Sequence, residues 1–399
     1  MLSQGGECVG NGSKNNVKNN VIELKIINNV RPLTQHERSR LEKLLYTWRD
    51  LIDHGKTDEA TRLLPALIRC EDEREDLHLM FLYNLFCARY YRALGETENF
   101  KEVMSFLSGW QHKFLDEHNY YYYRLIAFSE HEAWRYKLAL EAYYAAEESD
   151  PMHEWSDVGF YYSFGCCLSD MGYTHKAISY FEKALEKADV SNNHRYDVFI
   201  KGFLAHDYSK VGQGEEAVEL LQNCIININN NDVNRIALGW LYYSFGVVFN
   251  NLERHNDAIR NFDEALQYYM ENNKNYVNAL YCKALALAAS NRIEECIGCI
   301  DSALSLLTDE MDWEAIRAIL LNTLKHSLTL CNPDSMQYMK TTAIPKLLEF
   351  GQYSEAVDYS KKISGFYEEI GDTARALEYS RLISGIYEKY INERVEGAV

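Results

Sequence analysis

From Thr34 onward, apolar and charged residues recur at the 3.6-residue spacing of amphipathic helices. The pattern predicts helices over 34–54, 57–70, 75–94 and 97–115. Pro65 interrupts the second and predicts a kink or a break there, because proline lacks the N–H that a helix interior needs. Residues 1–33 differ in kind. MLSQGGECVGNGSKNNVKNN is rich in Gly, Asn and Ser and is expected to be a disordered or irregular tail. The following VIELKIINNV reads as a short strand or an early helix start.

Beyond residue 117 the helical pattern repeats. An alanine is followed four positions later by a bulky residue and three after that by a small one: Ala139, Tyr143, Ala146; Ala177, Phe181, Ala184; Ala217, Leu221, Cys224; Ala258, Phe262, Ala265; and Cys296, Ile300, Ala303. Twelve positions before each leading residue sits another small one: Ala127, Gly165, Ala205, Gly246 and Ala284. Two antiparallel helices approach closely only where side chains are small, and a bulky residue one turn on fills the space beside the crossing. Turn residues such as Asp170-Met171-Gly172 and Val211-Gly212 separate the two helices. A shared YYSFG at 161–165 and 242–246, in the same register, strengthens the repeat.

This is the tetratricopeptide pattern, stretched beyond its usual period of about 34 residues. The predicted fold is all-α: a right-handed superhelical solenoid over 117–391, preceded by an N-terminal helical bundle over 34–116. Near the C-terminus the motifs FGQYSEAVDYS and IGDTARALEYS lie closer together. Helix 353–370 then serves two neighbours, and a helix over 373–391 caps the array. Residues 304–345 fit the repeat poorly, and CNPDS at 331–335 marks a break.

Stacked hairpins leave a concave face lined by the first helix of each pair. Projection onto that face points Tyr121, Arg124, Tyr162, His206, Tyr243, Asn250, Asn251, Asn278 and Tyr281 inward. Aromatic and amide groups of this kind pack peptide side chains and hydrogen-bond a peptide backbone. The alternative role for any one of them is support of the packing between repeats.

Composition sharpens the picture. The 399 residues include only 5 prolines, which permits long helices, and a net charge of -18 opposes general binding to nucleic acid. Ten cysteines, mostly inside apolar helical patterns, read as reduced small hydrophobes, and the cytoplasm is the expected compartment. No apolar run of about 18 residues is present to cross a membrane, and no signal peptide is read.

Three stretches resemble the Rap-type members of the peptide-regulated quorum-sensing proteins of Gram-positive bacteria, the Rap–Rgg–NprR–PlcR–PrgX group. They are LLYTWRDLIDHGKTDEATRLL (44–64), HNYYYYRLIAFSEHEAWRYKLALEAYYAAEE (118–148) and AIPKLLEFGQYSEAVDYSKKISGFYEEIGDTARALEYSRL (343–382). The resemblance implies an intracellular receptor for a short signalling peptide that regulates a response regulator or transcription factor by protein contact. Some such proteins are aspartyl-phosphate phosphatases with a Gln in the bundle. Glu75 stands near that position here, and a carboxylate would repel the phosphoryl group, which weighs against that activity. Where the family carries backbone-anchoring Asn residues, this chain has Ser163 and Ser244, whose hydroxyls lack the paired donor and acceptor of an amide. The stretch before residue 34 is too short for a helix-turn-helix.

Motifs for other chemistry are missing. No phosphate loop, dinucleotide fingerprint or H-E-x-x-H occurs. Cys296 and Cys299 form an isolated C-x-x-C on a helix and read as core. His131-Glu132 is followed by Arg135 where a zinc motif needs its second histidine. No metal and no cofactor are expected. The leading reading is the peptide receptor. The other readings are a response-regulator phosphatase, a DNA-binding regulator lacking its helix-turn-helix, and a plain docking scaffold. A homodimer stays open.

Overall fold

The computed structural model describes residues 32–67, 70, 76–191, 194, 196–228, 235–270, 274–308 and 312–396. The expected tail, the strand-or-helix segment before residue 31 and Glu75 lie outside these. Every regular element among the described residues is helical. The chain divides into two compact units, 1–122 and 123–399.

The first unit holds α1 (Gln35–Asp53), α2 (Thr57–Leu67), α3 (Leu77–Ala93) and α4 (Thr97–Trp110), and takes in the first turns of α5 (Asp116–Glu132). Thr34 starts α1 with a capping box: the Glu37 N–H donates to the Thr34 hydroxyl, and the Thr34 N–H donates to the Glu37 carboxylate. Pro65 is tolerated in α2, which ends two residues later. α3 is buried almost throughout and packs against α1, α2 and α4. Trp48 is fully buried and stacks on Tyr83, with ring centroids 5.9 Å apart. The Arg49 guanidinium donates to the Tyr121 hydroxyl at 2.6 Å, so Tyr121 belongs to this core.

The second unit is a solenoid. The rest of α5 is followed by α6 (Tyr136–Glu148). Further hairpins follow: α7 (Val158–Asp170) with α8 (Thr174–Ser191), α9 (Asp197–Lys210) with α10 (Gly214–Ile228), α11 (Arg235–Asn251) with α12 (His255–Tyr268), and α13 (Lys274–Ala289) with α14 (Ile293–Ser305). First helices also pack on each other, α7 on α9, α9 on α11 and α11 on α13. The next hairpin is irregular, as its sequence implied. α15 (Asp312–Ser327) meets α16 (Pro333–Tyr338), which Asn332 caps, and a π turn over Met339–Ala343 carries the chain into α17 (Ile344–Glu349). α18 (Tyr353–Glu369) packs on α17 and on the terminal α19 (Thr373–Glu396), in the double role that was expected.

The helix crossings match the spacing argument. A Cβ added at Gly165 would lie 2.7 Å from the Phe181 ring, and one at Gly246 would lie 2.5 Å from the Phe262 ring. Phe181 and Phe262 are fully buried. The Cys296 thiol donates to the Ala284 carbonyl at 3.2 Å across the same kind of crossing, and burial pushes it up to about 11. It is a packing residue, inert at neutral pH.

Candidate functional site

The turns between paired helices share one backbone device. The last helical residues are closed by a residue in the left-handed region, as where the Gly172 N–H donates to the Ser169 carbonyl and Tyr173 N–H to the Leu168 carbonyl. Glycine fills this position at residues 55, 95, 172, 212, 351 and 371 and asparagine at 291, whereas Trp134 and Glu253 adopt it with large side chains. Trp134, at φ 60°, makes the same two bonds through its own N–H and that of Arg135. A bulky residue held there costs roughly 1 kcal/mol or more.

That conformation sends the Trp134 indole into the hollow of the solenoid. It is 9% exposed and shares a hydrophobic cluster with Tyr281, Ile316 and Leu320, which follow it by well over a hundred residues. The Arg317 guanidinium lies 5.1 Å from the Trp134 ring and 4.4 Å from that of Tyr281. The Lys274 ammonium lies 5.2 Å from Trp134 and 5.6 Å from Trp313. These are cation–π distances.

Around them runs a cavity of about 730 Å3, walled by residues from the α5–α6 turn, α7, α9, α11, α13, α15 and the start of α18. Six buried polar atoms on its wall have no protein hydrogen-bond partner among the described residues. They are His206 Nε2, Trp240 Nε1, Tyr269 Oη, Asn278 Oδ1, Arg317 Nε and Gln352 Nε2. The cavity is poorly solvating, and its titratable groups record that. Burial, then the nearby Lys210 charge, drives the His206 imidazole down to about 3. Burial lowers the Lys274 ammonium against the pull of Glu132 and Asp170, and raises the Glu355 carboxyl. The Tyr243 and Tyr281 phenols are likewise pushed up by burial.

A tetratricopeptide-repeat family model matches residues 158–186, the α7–α8 hairpin. Over 359 residues the chain is 21% identical to the transcriptional activator NprA of Geobacillus stearothermophilus, covering 86% of each protein. Among solved structures, a Rap protein complexed with competence and sporulation factor superposes with a TM-score of 0.75 at 17% identity, over 89% of this chain and 99% of that one. NprR in complex with its cognate peptide NprX gives 0.74 at 18% identity, over 87% and 99%. The apo form of NprR from B. thuringiensis gives 0.67 at 18% identity, over 88% and 99%. The fold is that of the Rap and NprR proteins. The resemblance drawn from residues 44–64, 118–148 and 343–382 is borne out.

Within this Rap/NprR fold, the residues projected inward separate into two groups. His206, Tyr243, Asn278 and Tyr281 reach the cavity wall. The other five are engaged elsewhere, Tyr121 with Arg49 in the first unit. Arg124 forms a two-pronged ion pair with Asp157, at 2.7 and 3.0 Å, where that carboxylate caps α7. Tyr162 stacks on Tyr196 at 5.4 Å. The Asn250 carbonyl oxygen meets His255 Nδ1 at 3.0 Å, and the Asn251 amide donates to the Ser209 hydroxyl at 2.8 Å. Ser244 is fully buried against the space that Gly202 leaves open, and so does not present its hydroxyl to the hollow.

Helical projection missed Trp134, Lys274 and Arg317. Trp134 lies in a turn, where no helical face applies. Lys274 and Arg317 belong to the N-terminal end of α13 and to the irregular α15 hairpin. One signal was present in the sequence: a Trp in the turn position that glycine fills at six other turns. Among the described residues, no group of three or more His, Cys, Asp or Glu side chains is placed to hold a metal, and no helix is long and apolar enough to cross a membrane.

Proposed function

We propose that the chain is an intracellular receptor for a short signalling peptide bound in the cavity of the second unit. Through its N-terminal helices it regulates a response regulator or transcription factor. The observation that carries this reading is the set of six unpartnered polar atoms on one wall. Each costs about 1–3 kcal/mol while unpaired. An extended peptide brings an N–H and a carbonyl at every residue, and the intervening aromatic rings take its side chains. The similar NprR structure holds its cognate peptide NprX, and a Rap conjugation regulator of plasmid pLS20 holds a Phr* peptide. NprA, by its name a transcriptional activator, supports an output in gene control.

Calorimetric titration of the full chain with synthetic short peptides, taken from any small secreted precursor encoded beside the gene, tests the reading. The expected result is saturable one-site binding that Asn278→Ala weakens about tenfold, or about 1.4 kcal/mol. Absence of heat with every such peptide contradicts it.

A further inference from the structure

Building on the peptide-receptor reading above, we propose that Arg317 and Lys274, bridged by the Trp134 ring, form the subsite for the C-terminal carboxylate of the bound peptide. Arg317 is only 8% exposed, yet it has no ion pair or hydrogen bond among the described residues. A buried guanidinium in that condition is costly and calls for an anion. The Trp134 and Tyr281 rings lie within cation–π reach of the guanidinium, and neither ring supplies a carboxylate for its N–H donors. Lys274 likewise has no ion pair among the described residues, and its ammonium shares the Trp134 ring with Arg317. Glu132 and Asp170 pull on Lys274, and Arg317 acts on Glu355, but no carboxylate among the described residues lies within ion-pair distance of either cation.

The other charged residues on the wall are Glu132, Asp170, Lys210 and Glu355. Lys210 pairs with Asp207 at 2.9 Å, and Asp170 with His131 Nε2 at 2.8 Å. Burial raises the Glu355 carboxyl, at the start of α18, against the pull of Arg317. Asn278, one turn after Lys274 on α13, offers an unpartnered carbonyl oxygen on the same face. A C-terminal residue presents one N–H and one carboxylate across a single Cα, so it satisfies Asn278 and the two cations together. An internal backbone amide carries no charge for them.

The test uses two pools of synthetic hexapeptides of identical composition, one with free C-terminal carboxylates and one amidated. Peptides retained by the full-length chain are identified by mass spectrometry. The best sequence is then titrated in both forms against the unsubstituted chain, Arg317→Gln and Lys274→Gln. The expected result is retention from the free-acid pool and at least a tenfold loss on amidation. Arg317→Gln then weakens the acid about tenfold and the amide less than twofold, with a smaller loss of the same pattern for Lys274→Gln. The assignment is overturned if acid and amide bind within twofold. It is also overturned if Arg317→Gln weakens both forms equally, or if the loss follows an Asp or Glu side chain of the peptide and not its terminus. Retention of no peptide from either pool removes the receptor reading itself, whereas equal retention of both removes only the carboxylate subsite.

Discussion

The seam between paired helices and the wall of the hollow are built from the same helices but follow opposite rules. At the seam, Gly165 and Gly246 leave room for the fully buried rings of Phe181 and Phe262, and Tyr143, at the matching position, is the seam residue that carries a buried hydroxyl. On the wall, His206, Asn278 and Arg317 are buried with hydrogen-bonding capacity unused. A seam residue contributes its burial to folding. A wall residue is kept at some cost to folding, which is the arrangement expected where a ligand completes the set.

Four substitutions or conditions sharpen that contrast, the largest effect first. Phe262→Ala empties the seam and is expected to lower the unfolding free energy by about 4 kcal/mol in a urea titration followed by circular dichroism. A loss under about 1 kcal/mol would deny the seam its role.

Acid acts on two buried imidazoles whose burial outweighs any nearby carboxylate. His118 accepts the Leu115 N–H on Nδ1 and sits 2.9 Å from His78 Nδ1, and burial, reinforced by His78, lowers it to about 4. His206 is lowered to about 3. In the unfolded chain each titrates near 6.5. Between about 6.5 and the folded value the unfolded chain binds more protons, so this stability is complete above about 6.5 and is lost as pH falls. We expect up to about 3 kcal/mol lost per imidazole by pH 4, measured as the shift in denaturation midpoint. His118→Asn is expected to flatten that slope, and an unchanged slope would contradict the assignment.

Arg317→Met replaces an unpartnered buried cation with an apolar chain of similar length. Folding stability is expected to change by less than about 1 kcal/mol, or to rise, while peptide affinity falls. A loss near that of Phe262→Ala would make Arg317 a seam residue after all. Glu253→Gly relaxes the exposed left-handed turn residue and is expected to add roughly 0.5–1 kcal/mol, visible as a small rise in Tm.

The contrast also explains what was legible in the sequence. Spacing of Ala139, Ala177 and Ala258 with their small partners twelve residues earlier located the hairpins because the seam is local: both sides lie within one repeat. The wall joins Trp134 to Arg317 and Glu355, and such contacts leave no periodic trace. Projection onto helix faces therefore found His206, Tyr243, Asn278 and Tyr281, which point down regular first helices. It also drew in Arg124, Tyr162, Asn250 and Asn251. These share the face but are claimed by Asp157, Tyr196, His255 and Ser209, partners that a helical wheel does not reveal.

Hydrogen–deuterium exchange of the full chain with and without a bound short peptide tests the central claim most directly. Slowed exchange is predicted over residues 131–136, in α13 around Asn278 and in α15 around Arg317, with α12 and α14 unchanged. Protection confined to those second helices, or to α1–α4, would place the ligand outside the hollow and contradict the account.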